Sequence, residues 1–204
     1  MAQISTQPYP GQKPGTSGLR KRVVEFQQPH YLENFIQAVF NSLPELRDAT
    51  LVIGGDGRFY NRVAIQTLLK MAAANGVAKV WVGRQGWLST PAVSALIRRH
   101  SAAGGFILSA SHNPGGPQGD FGIKFNSANG GPASDSVTER IYAASQIIEH
   151  FSICQVEDVA LDQPGHAKLA DMDIEVIDPV TEYADLMESL FDFSQIRALL
   201  AEPE

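Results

Sequence analysis

Residues 109–131 read SASHNPGGPQGDFGIKFNSANGG and directly follow the apolar run Phe106-Ile107-Leu108. The apolar run is typical of a short buried strand, so the segment after it leaves the core at the end of that strand. This segment holds three side chains with reactive chemistry, Ser111, His112 and Lys124. Because loops on a rigid scaffold often carry function, the stretch is the first candidate for a functional site.

The composition of this stretch favours a loop of fixed shape. Pro114 restricts one backbone angle, and the glycines permit tight turns that other residues rarely adopt. Glycines also let backbone N–H groups approach a phosphate. Such a loop can hold the Ser111 hydroxyl in one place and return Lys124 to the same cleft as a cation or a base, while Asp120 and Asn126 add polar contacts.

Two other interpretations fit the same residues. In the first, the stretch is a polar turn in which Ser111 caps a helix and Lys124 is solvated. In the second, Ser111 and His112 are the nucleophile and base of a serine hydrolase. Adjacent side chains rarely point at each other, and the sequence lacks the G-x-S-x-G elbow of such enzymes.

A second candidate is the segment Gly15-Thr16-Ser17-Gly18-Leu19-Arg20-Lys21-Arg22. Its hydroxyls and cations can hold a phosphate, and Arg20 can do so with a bidentate fork. The alternative is a basic strand edge on a mobile tail, since residues 1–18 read as exposed. The segment 54–58, GGDGR, is not a P-loop because it lacks the GK[ST] ending.

Strand and helix patterns alternate along the first part of the chain. Strands are predicted at 50–54, 79–83 and 106–108, and helices at 31–43, from Asn61, from Thr90 and from Ser136. Asn61 is expected to cap its helix, and Ser136 to Glu139 to form a capping box. This alternation is typical of an α/β layer with a largely parallel sheet, whose ligands bind at the carboxyl ends of the strands. The segments 54–58 and 109–131 both leave at that edge, so active-site loops are expected there.

The patterning changes toward the C-terminal end of the sequence. Residues 155–172 read as irregular, and 173–176 alternates like an edge strand. After Pro179 a new helical pattern begins, which makes this proline a plausible domain boundary. We therefore expect one domain at 1–178 and the beginning of another at 179–204.

Composition narrows the classes of partner. The net charge is −6, with 44% hydrophobic and 19% charged residues, which argues against nucleic acid or an anionic membrane as the main partner. The single cysteine, Cys154, excludes an intrachain disulfide and is expected to be a packing residue. Without a visible signal peptide or apolar span, a soluble cytoplasmic protein is expected.

Taken together, these segments resemble a known family. SASHNPGGPQGDFGIKFNSANGGPA is similar to the phosphoserine loop of the α-D-phosphohexomutase superfamily, in its phosphoglucomutase branch, and PGTSGLRKRV resembles that family's N-terminal phosphate-handling segment. GGDGRFYN, LSTPAVS and FDFSQIRALL resemble three further segments of it. One departure is Ser109, where the family usually has threonine. Pattern and resemblance together predict a three-layer α/β/α sandwich with a mixed, largely parallel sheet, followed by the first helices of a second domain.

The resemblance implies a reaction and roles for particular residues. Ser111 would carry a phosphoryl group and exchange it with sugar phosphates, interconverting α-glucose 1-phosphate and glucose 6-phosphate through glucose 1,6-bisphosphate. The phosphate on Ser111 would help to coordinate Mg²⁺. His112 and Lys124 match loop positions of the family, Lys124 being the better general base, and Arg20 with Thr16 and Ser17 would steady the phosphate.

The family has four domains, and its magnesium loop, of Asp-Gly-Asp-Gly-Asp type, lies in the second. No such run occurs in this sequence. The resemblance therefore implies a chain that needs the C-terminal domains of the same protein as partners and has negligible activity alone. Two rivals stay open: phosphomannomutase or phosphoglucosamine mutase on the same fold, and a non-catalytic relative that acts through protein–protein contacts.

Overall fold

A computed structural model describes residues 1–201, which form a seven-stranded sheet between layers of helices. A separate antiparallel pair joins β1 (Ala2–Ser5) to β7 (His150–Ile153). The strands of the main sheet, in chain order, are β2 (Leu19–Arg22), β3 (Thr50–Gly55), β4 (Lys79–Trp87), β5 (Gly104–Leu108), β6 (Asp120–Ser127), β8 (Gly165–Leu169) and β9 (Met172–Ile177).

Across the sheet the strand order is β2-β6-β5-β3-β4-β9-β8. The four central strands β5, β3, β4 and β9 are parallel neighbours, whereas β6 and β8 run antiparallel to theirs. Since β2 is antiparallel to β6, it runs in the direction of the central strands. The prediction of a mixed, largely parallel sheet is confirmed.

Helices cover both faces of this sheet. The short α1 (Val23–Phe26), α2 (Tyr31–Ser42), α3 (Asn61–Ala74) and α5 (Asp135–Gln146) contribute to a core cluster that includes Ile53 and Phe106. The opposite face packs on α4 (Thr90–Arg99) through a second cluster that includes Val52 and Ile107. Neighbouring strand residues thus point to opposite layers, as the period of two requires, which confirms the three-layer sandwich.

The remaining elements lie at the margins. A 3₁₀ turn spans Pro44–Leu46. After β9 come α6 (Thr181–Leu190) and α7 (Phe193–Ala201), neither of which has a buried residue. The helical pattern predicted after Pro179 is therefore confirmed, and α6 contacts the main body through α4. No helix within residues 1–201 is both long and apolar enough to cross a bilayer.

Three predictions about helix starts and chain ends are wrong. Asn61 is the first residue of α3 rather than its cap, which is Tyr60 in a left-handed conformation. Helix α5 begins one residue before Ser136, with Ser134 as its cap, so the capping box does not form. The N-terminal segment is not wholly exposed or mobile, because β1 pairs with β7 and Gln12 is buried.

The strand at 173–176 exists but is not an edge strand. It belongs to β9, which lies between β4 and β8. The edge is formed by β8, within the segment 155–172 that reads as irregular in the sequence. Its residues alternate between half-buried and exposed, so the apolar pattern of this strand is weak. As the last strand of the sheet, it has a neighbouring strand on one side only.

Candidate active site

The candidate site lies where β3 and β5 end. These two strands are parallel neighbours with Gly55 paired to Leu108, so the segments after them leave from the same edge of the sheet. The segment after β5 (109–119), called the serine loop below, carries Ser111, and the segment after β3 carries Asp56 and Arg58. The strands beneath are buried except for the half-buried Thr50 at the start of β3, which gives both loops a rigid base.

Ser111 is exposed and sits in a left-handed backbone conformation, with φ of 56°. Its N–H donates to Ser109 Oγ over 3.0 Å. Its own Oγ lies 3.3 Å from Nδ1 of His112, so the sequence-predicted pair is in contact. The hydroxyl is therefore presented to solvent from a backbone that is held on its N-terminal side.

An ion pair anchors this loop to the neighbouring one. Arg58 Nε donates to both carboxylate oxygens of Asp56 over 3.0 Å. The same guanidinium donates from Nη2 to the carbonyl oxygen of Ser111 (2.9 Å) and from Nη1 to that of Asp120 (2.8 Å). Asp56 Oδ2 also accepts the hydroxyl proton of Ser109 over 2.7 Å. Both ends of the serine loop are thus fastened to one arginine and one aspartate.

Further hydrogen bonds fix the shape of the loop itself. Asn113 Nδ2 donates to Asp120 Oδ2 over 2.8 Å, and the N–H of Asp120 donates to the carbonyl oxygen of Pro114 over 2.8 Å. A tight turn is closed where the N–H of Gly119 donates to Gly116 over 3.0 Å. The glycine-rich segment is a folded loop, and the simple polar turn with Ser111 as a helix cap does not form.

Lys124 is half-buried on β6, which returns from the loop and pairs with both β5 and β2. Gly18 packs on it so closely that an added Cβ would lie 2.4 Å from Lys124 Cβ and 2.5 Å from the carbonyl oxygen of Ile123. Burial, and then the charge of Arg20, lower the pKa of the Lys124 ammonium. A lysine so placed reaches its neutral, basic form at lower pH than a solvated one.

Arg20 lies beside the start of the serine loop. It is exposed on β2 and pairs with Gly122, two residues before Lys124, so Arg20 and Lys124 share one face of the sheet. A Cβ on Gly122 would lie 2.3 Å from the carbonyl oxygen of Ser109 and 3.1 Å from Arg20 Cγ. This close approach brings the cation next to the loop that holds Ser111.

Thr16 and Ser17 occupy the exposed tip of a tight turn that precedes Arg20. The turn is closed by two backbone hydrogen bonds between Gly15 and Gly18, of 3.1 and 2.9 Å. The structure thus gathers the sequence-predicted residues on three adjacent segments: the turn and β2, the serine loop, and β6. Within the described residues, Ser111 and Lys124 make no hydrogen bond to each other.

Asp56, Arg58 and Ser109 lie in the two segments predicted as active-site loops, but the sequence assigns these three side chains no role. The available signal was GGDGR directly after a buried strand, since a charged pair at the carboxyl end of a parallel strand faces the ligand edge. Periodicity does not say which neighbouring loop such a pair will contact. That information comes only from the sheet order, which places β5 beside β3.

The arrangement favours phosphate chemistry over ester hydrolysis. In a serine hydrolase a carboxylate orients the histidine, but within residues 1–201 the only side chain that hydrogen-bonds to His112 is Ser111 itself. Arg20 and the half-buried Lys124 instead place two cations on the face beside the loop. A cleft of about 590 Å³, lined by Arg58, Phe59 and Trp87 among others, lies beside the loop and does not include Ser111.

A magnesium site needs oxygen ligands, because Mg²⁺ prefers oxygen in octahedral geometry. Within residues 1–201 no group of three or more His, Cys, Asp or Glu could hold a metal ion. A phosphate on the exposed Ser111 would supply suitable oxygens. The described residues could therefore supply one ligand group of a magnesium site, the phosphate on Ser111, but they do not form a complete site.

Comparisons with known proteins agree with this geometry. A family model described as phosphoglucomutase/phosphomannomutase, alpha/beta/alpha domain I, matches residues 11–150. Phosphoglucomutase of Rhizobium radiobacter is 57% identical over 198 residues, which are 97% of this chain and 36% of that protein. Chloroplastic phosphoglucomutase of Brassica napus is 53% identical over 98% of this chain and 32% of its own length. The chain spans about a third of the length of these curated relatives.

A solved structure shares the fold. The open form of the exocytosis-sensitive phosphoprotein pp63/parafusin from Paramecium, a phosphoglucomutase, matches with a TM-score of 0.90 and 45% sequence identity. The match covers 95% of this chain and 37% of that one. Plant relatives include proteins named chloroplastic and proteins named cytoplasmic, so these names do not decide a compartment.

Proposed function

Because the chain belongs to the phosphoglucomutase/phosphomannomutase family, in which it has the α/β/α domain I, we propose that it is the phosphoserine-bearing part of a phosphoglucomutase. The observation that carries this proposal is the presentation of Ser111. Its hydroxyl is exposed at the ligand edge of the sheet, on a loop that hydrogen bonds fasten at both ends. An arginine and a half-buried lysine lie on the adjoining strands.

The reaction begins with a phosphoryl group on Ser111. The free hydroxyl oxygen of a glucose monophosphate forms a bond to phosphorus, and the bond between phosphorus and Ser111 Oγ breaks. The hydroxyl proton passes to a base, and Ser111 Oγ takes up a proton. After the resulting glucose 1,6-bisphosphate has reoriented, its other phosphoryl group returns to Ser111 by the same steps in reverse. Phosphoryl transfer of this kind depends chiefly on positioning and charge stabilisation.

The neighbouring residues have defined roles in this proposal. Lys124 is the better candidate for the base, since burial beside Arg20 lowers the pKa of its ammonium and so raises its neutral fraction. His112, with Nδ1 3.3 Å from Ser111 Oγ, is placed to exchange a proton with that oxygen. Arg20, with Thr16 and Ser17 in the preceding turn, steadies the phosphate by charge and hydrogen bonds.

Two small molecules accompany the chain in this proposal. Mg²⁺, when bound at the phosphate of Ser111, would neutralise charge that develops on the transferring group. Ser111 is the residue of this chain that would hold it. Glucose 1,6-bisphosphate is the intermediate and also the compound that would load Ser111. The partners are thus sugar phosphates rather than nucleic acid or membrane.

We further propose that residues 1–178 are the catalytic domain I and that 179–204 begin a second domain. Helices α6 and α7 have no buried residues, which supports a boundary near Pro179. The remaining substrate and metal contacts would then come from other domains of the same protein, and the chain alone would have negligible mutase activity. A cytoplasmic location remains a prediction.

The choice of glucose over mannose rests on similarity, because the proposed sugar contacts lie outside this chain. Identities of 57% and 53% are to proteins named phosphoglucomutase. The experiment is a coupled assay of the whole protein that carries this chain, with glucose 1-phosphate and mannose 1-phosphate as substrates. We expect glucose 1-phosphate to be preferred and Ser111→Ala to lose at least about 10³-fold in activity, the scale of losing a covalent catalyst.

Thr90→Ser is the control, because it is a mild change at the first residue of α4, outside the serine loop. Preference for mannose 1-phosphate would show that the protein is a phosphomannomutase rather than a phosphoglucomutase. Activity retained in Ser111→Ala would overturn the phosphoserine proposal. A folded wild-type protein inactive on both sugars is then assayed with glucosamine 1-phosphate, and inactivity there as well would favour the non-catalytic relative.

A further inference from the structure

We propose that Arg58 is a positioning residue that, with Asp56, sets the backbone of Ser111 for phosphoryl transfer. This inference rests on the proposed function, but its structural part can be tested separately. Arg58 lies in the loop after β3 and belongs to none of the groups assigned to the phosphate. Its side chain is only 8% exposed, which is unusual for an arginine and points to a role inside the protein.

The two peptide groups that flank Ser111 are both tied to the pair formed by Asp56 and Arg58. The N–H of Ser111 donates to Ser109 Oγ (3.0 Å), and that hydroxyl donates to Asp56 Oδ2 (2.7 Å). The carbonyl oxygen of Ser111 accepts from Arg58 Nη2 (2.9 Å). One ion pair therefore controls the backbone on both sides of the Ser111 Cα atom, and with it the direction of the Oγ atom.

Ser111 needs such support because its backbone is in the left-handed region, with φ of 56°. For a residue other than glycine this conformation is unfavourable and persists only where surrounding contacts impose it. A freed loop would relax toward other backbone angles and turn the hydroxyl away. Since displacement of a reacting atom by about 1 Å can cost about 100-fold in rate, this control bears directly on transfer.

The shape of the guanidinium explains why this residue is an arginine. Nε bonds to Asp56, Nη1 to the carbonyl oxygen of Asp120 and Nη2 to that of Ser111, so three nitrogens serve three partners. The planar fork provides these directions at once, whereas an ammonium is a single point charge. Because Asp56 neutralises the charge, the arginine acts on the loop rather than as a free cation for phosphate.

The test compares Arg58→Met and Arg58→Lys with the wild-type protein. Arg140→Met serves as the matched control, because Arg140 is exposed on α5. The first readout is the initial rate of phosphate uptake by Ser111 over a range of glucose 1,6-bisphosphate concentrations. The second is hydrogen exchange of peptides that cover 109–120 and, separately, the β5 strand.

We expect both Arg58 variants to lose at least about tenfold in the maximal rate of uptake, while the half-saturating concentration changes less than about twofold. Exchange in 109–120 should rise without a change in β5. Ser109→Ala should shift both readouts in the same direction, since it breaks the bridge from Asp56 to the Ser111 N–H. That variant keeps Arg58 and tests the same mechanism if an Arg58 variant fails to fold.

Three results would overturn the inference. One is a maximal rate within about twofold of wild type in Arg58→Met. Another is full rescue by Arg58→Lys, which would make charge rather than geometry the relevant property. The third is unchanged exchange in 109–120. If the wild type takes up no phosphate, the proposed function fails, and the exchange readout alone then decides whether Arg58 holds the loop.

Discussion

At the scale of single residues, the site depends on close backbone approach as much as on reactive side chains. Gly18 lies against Lys124 with φ of +84°, and an added Cβ would be 2.4 Å from Lys124 Cβ. A side chain there would strain the backbone and push β2 away from β6. The distance between Arg20 and Lys124 therefore depends on a glycine with no chemistry of its own.

Gly18→Ala should accordingly destabilise the protein by about 2 kcal/mol or more, from left-handed strain together with the steric clash. Gly15→Ala is the control in the same turn, because nothing lies within 4 Å of a Cβ added there. It should change the free energy of unfolding by less than about 0.5 kcal/mol. Urea unfolding measures both, and equal effects would contradict this view of Gly18.

Lys124 gives a prediction about pH. Burial and Arg20 lower its folded-state pKa below the ordinary 10.5, so below both values the folded state carries a poorly solvated charge. Between the lowered value and 10.5 the unfolded chain binds more protons, and stability must rise with pH. We expect wild type to gain stability relative to Lys124→Met in urea unfolding as the pH rises toward 10.5. If the unfolding free energies of wild type and Lys124→Met changed with pH in parallel, the lowered pKa of Lys124 would be contradicted.

Residue-level chemistry was only partly visible in the sequence. Ser111, His112, Lys124 and Arg20 stand out because their residue types and glycine surroundings suggest phosphate handling. The hydrogen-bonded group of Asp56, Arg58 and Ser109 does not stand out in this way. It joins two loops that are far apart in the chain, and these loops are adjacent only because of the strand order in the sheet. Arg58 looks like any other charged loop residue until its burial is known.

At the scale of elements, strong apolar periodicity decided what could be predicted. The predicted helix at 31–43 and strands at 50–54, 79–83 and 106–108 all form, since their buried faces are nearly continuous. The sequence does not predict the edge strand β8, because most of its residues are half-buried or exposed. The predicted cap of α3 is wrong by one residue, because the side chain of Asn61 is buried and its Nδ2 faces the carbonyl oxygen of Gly86 at 3.4 Å.

Helix α6 is held to α4 by a small ionic cluster. Oε2 of Glu182 lies 2.9 Å from Arg99 Nε and 2.9 Å from His100 Nε2, and the imidazole stacks on Trp81 at 3.9 Å between ring centroids. Asp178 caps the first turn of α6 by accepting from the N–H groups of Val180 and Thr181, which lowers the pKa of its carboxyl. These polar contacts add to the packing of the partly buried Tyr183 on the second core cluster.

Glu182→Gln should loosen α6 without affecting the sheet. Because Arg99 is half-exposed, the pair is worth about 1 kcal/mol at most, so exchange of α6 amides should rise by roughly fivefold or less. Glu188→Gln, exposed on the same helix, is the control and should change nothing. The same exchange rates in both variants would show that the cluster does not hold the helix.

At the scale of the whole molecule, the apolar surface is unevenly distributed. The end of α6, the short connection after it and α7 carry a run of exposed apolar side chains: Leu190, Phe191, Phe193, Ile196, Leu199 and Leu200. Monomeric proteins rarely expose such contiguous surface, since it drives association in water. The rest of the proposed second domain would cover this surface, which is uncovered within the described residues.

The chain should therefore self-associate as its concentration rises. Replacing Leu199 and Leu200, which are 69% and 79% exposed, by serine should reduce this association in sedimentation velocity. Ile147→Ser is the matched control, because Ile147 is 78% exposed but lies at the end of α5. Equal association of the wild type and the double variant would contradict this role of α7.

The measurement that tests the central claim most directly is peptide mapping by mass spectrometry after incubation with glucose 1,6-bisphosphate and Mg²⁺. It should be made on the whole protein that carries this chain, with Ser111→Ala alongside. We predict one phosphate on Ser111 in the wild type and none in the variant. A folded wild type without phosphate on Ser111, or with phosphate on another residue, would contradict the assignment of Ser111 as the phosphoryl carrier.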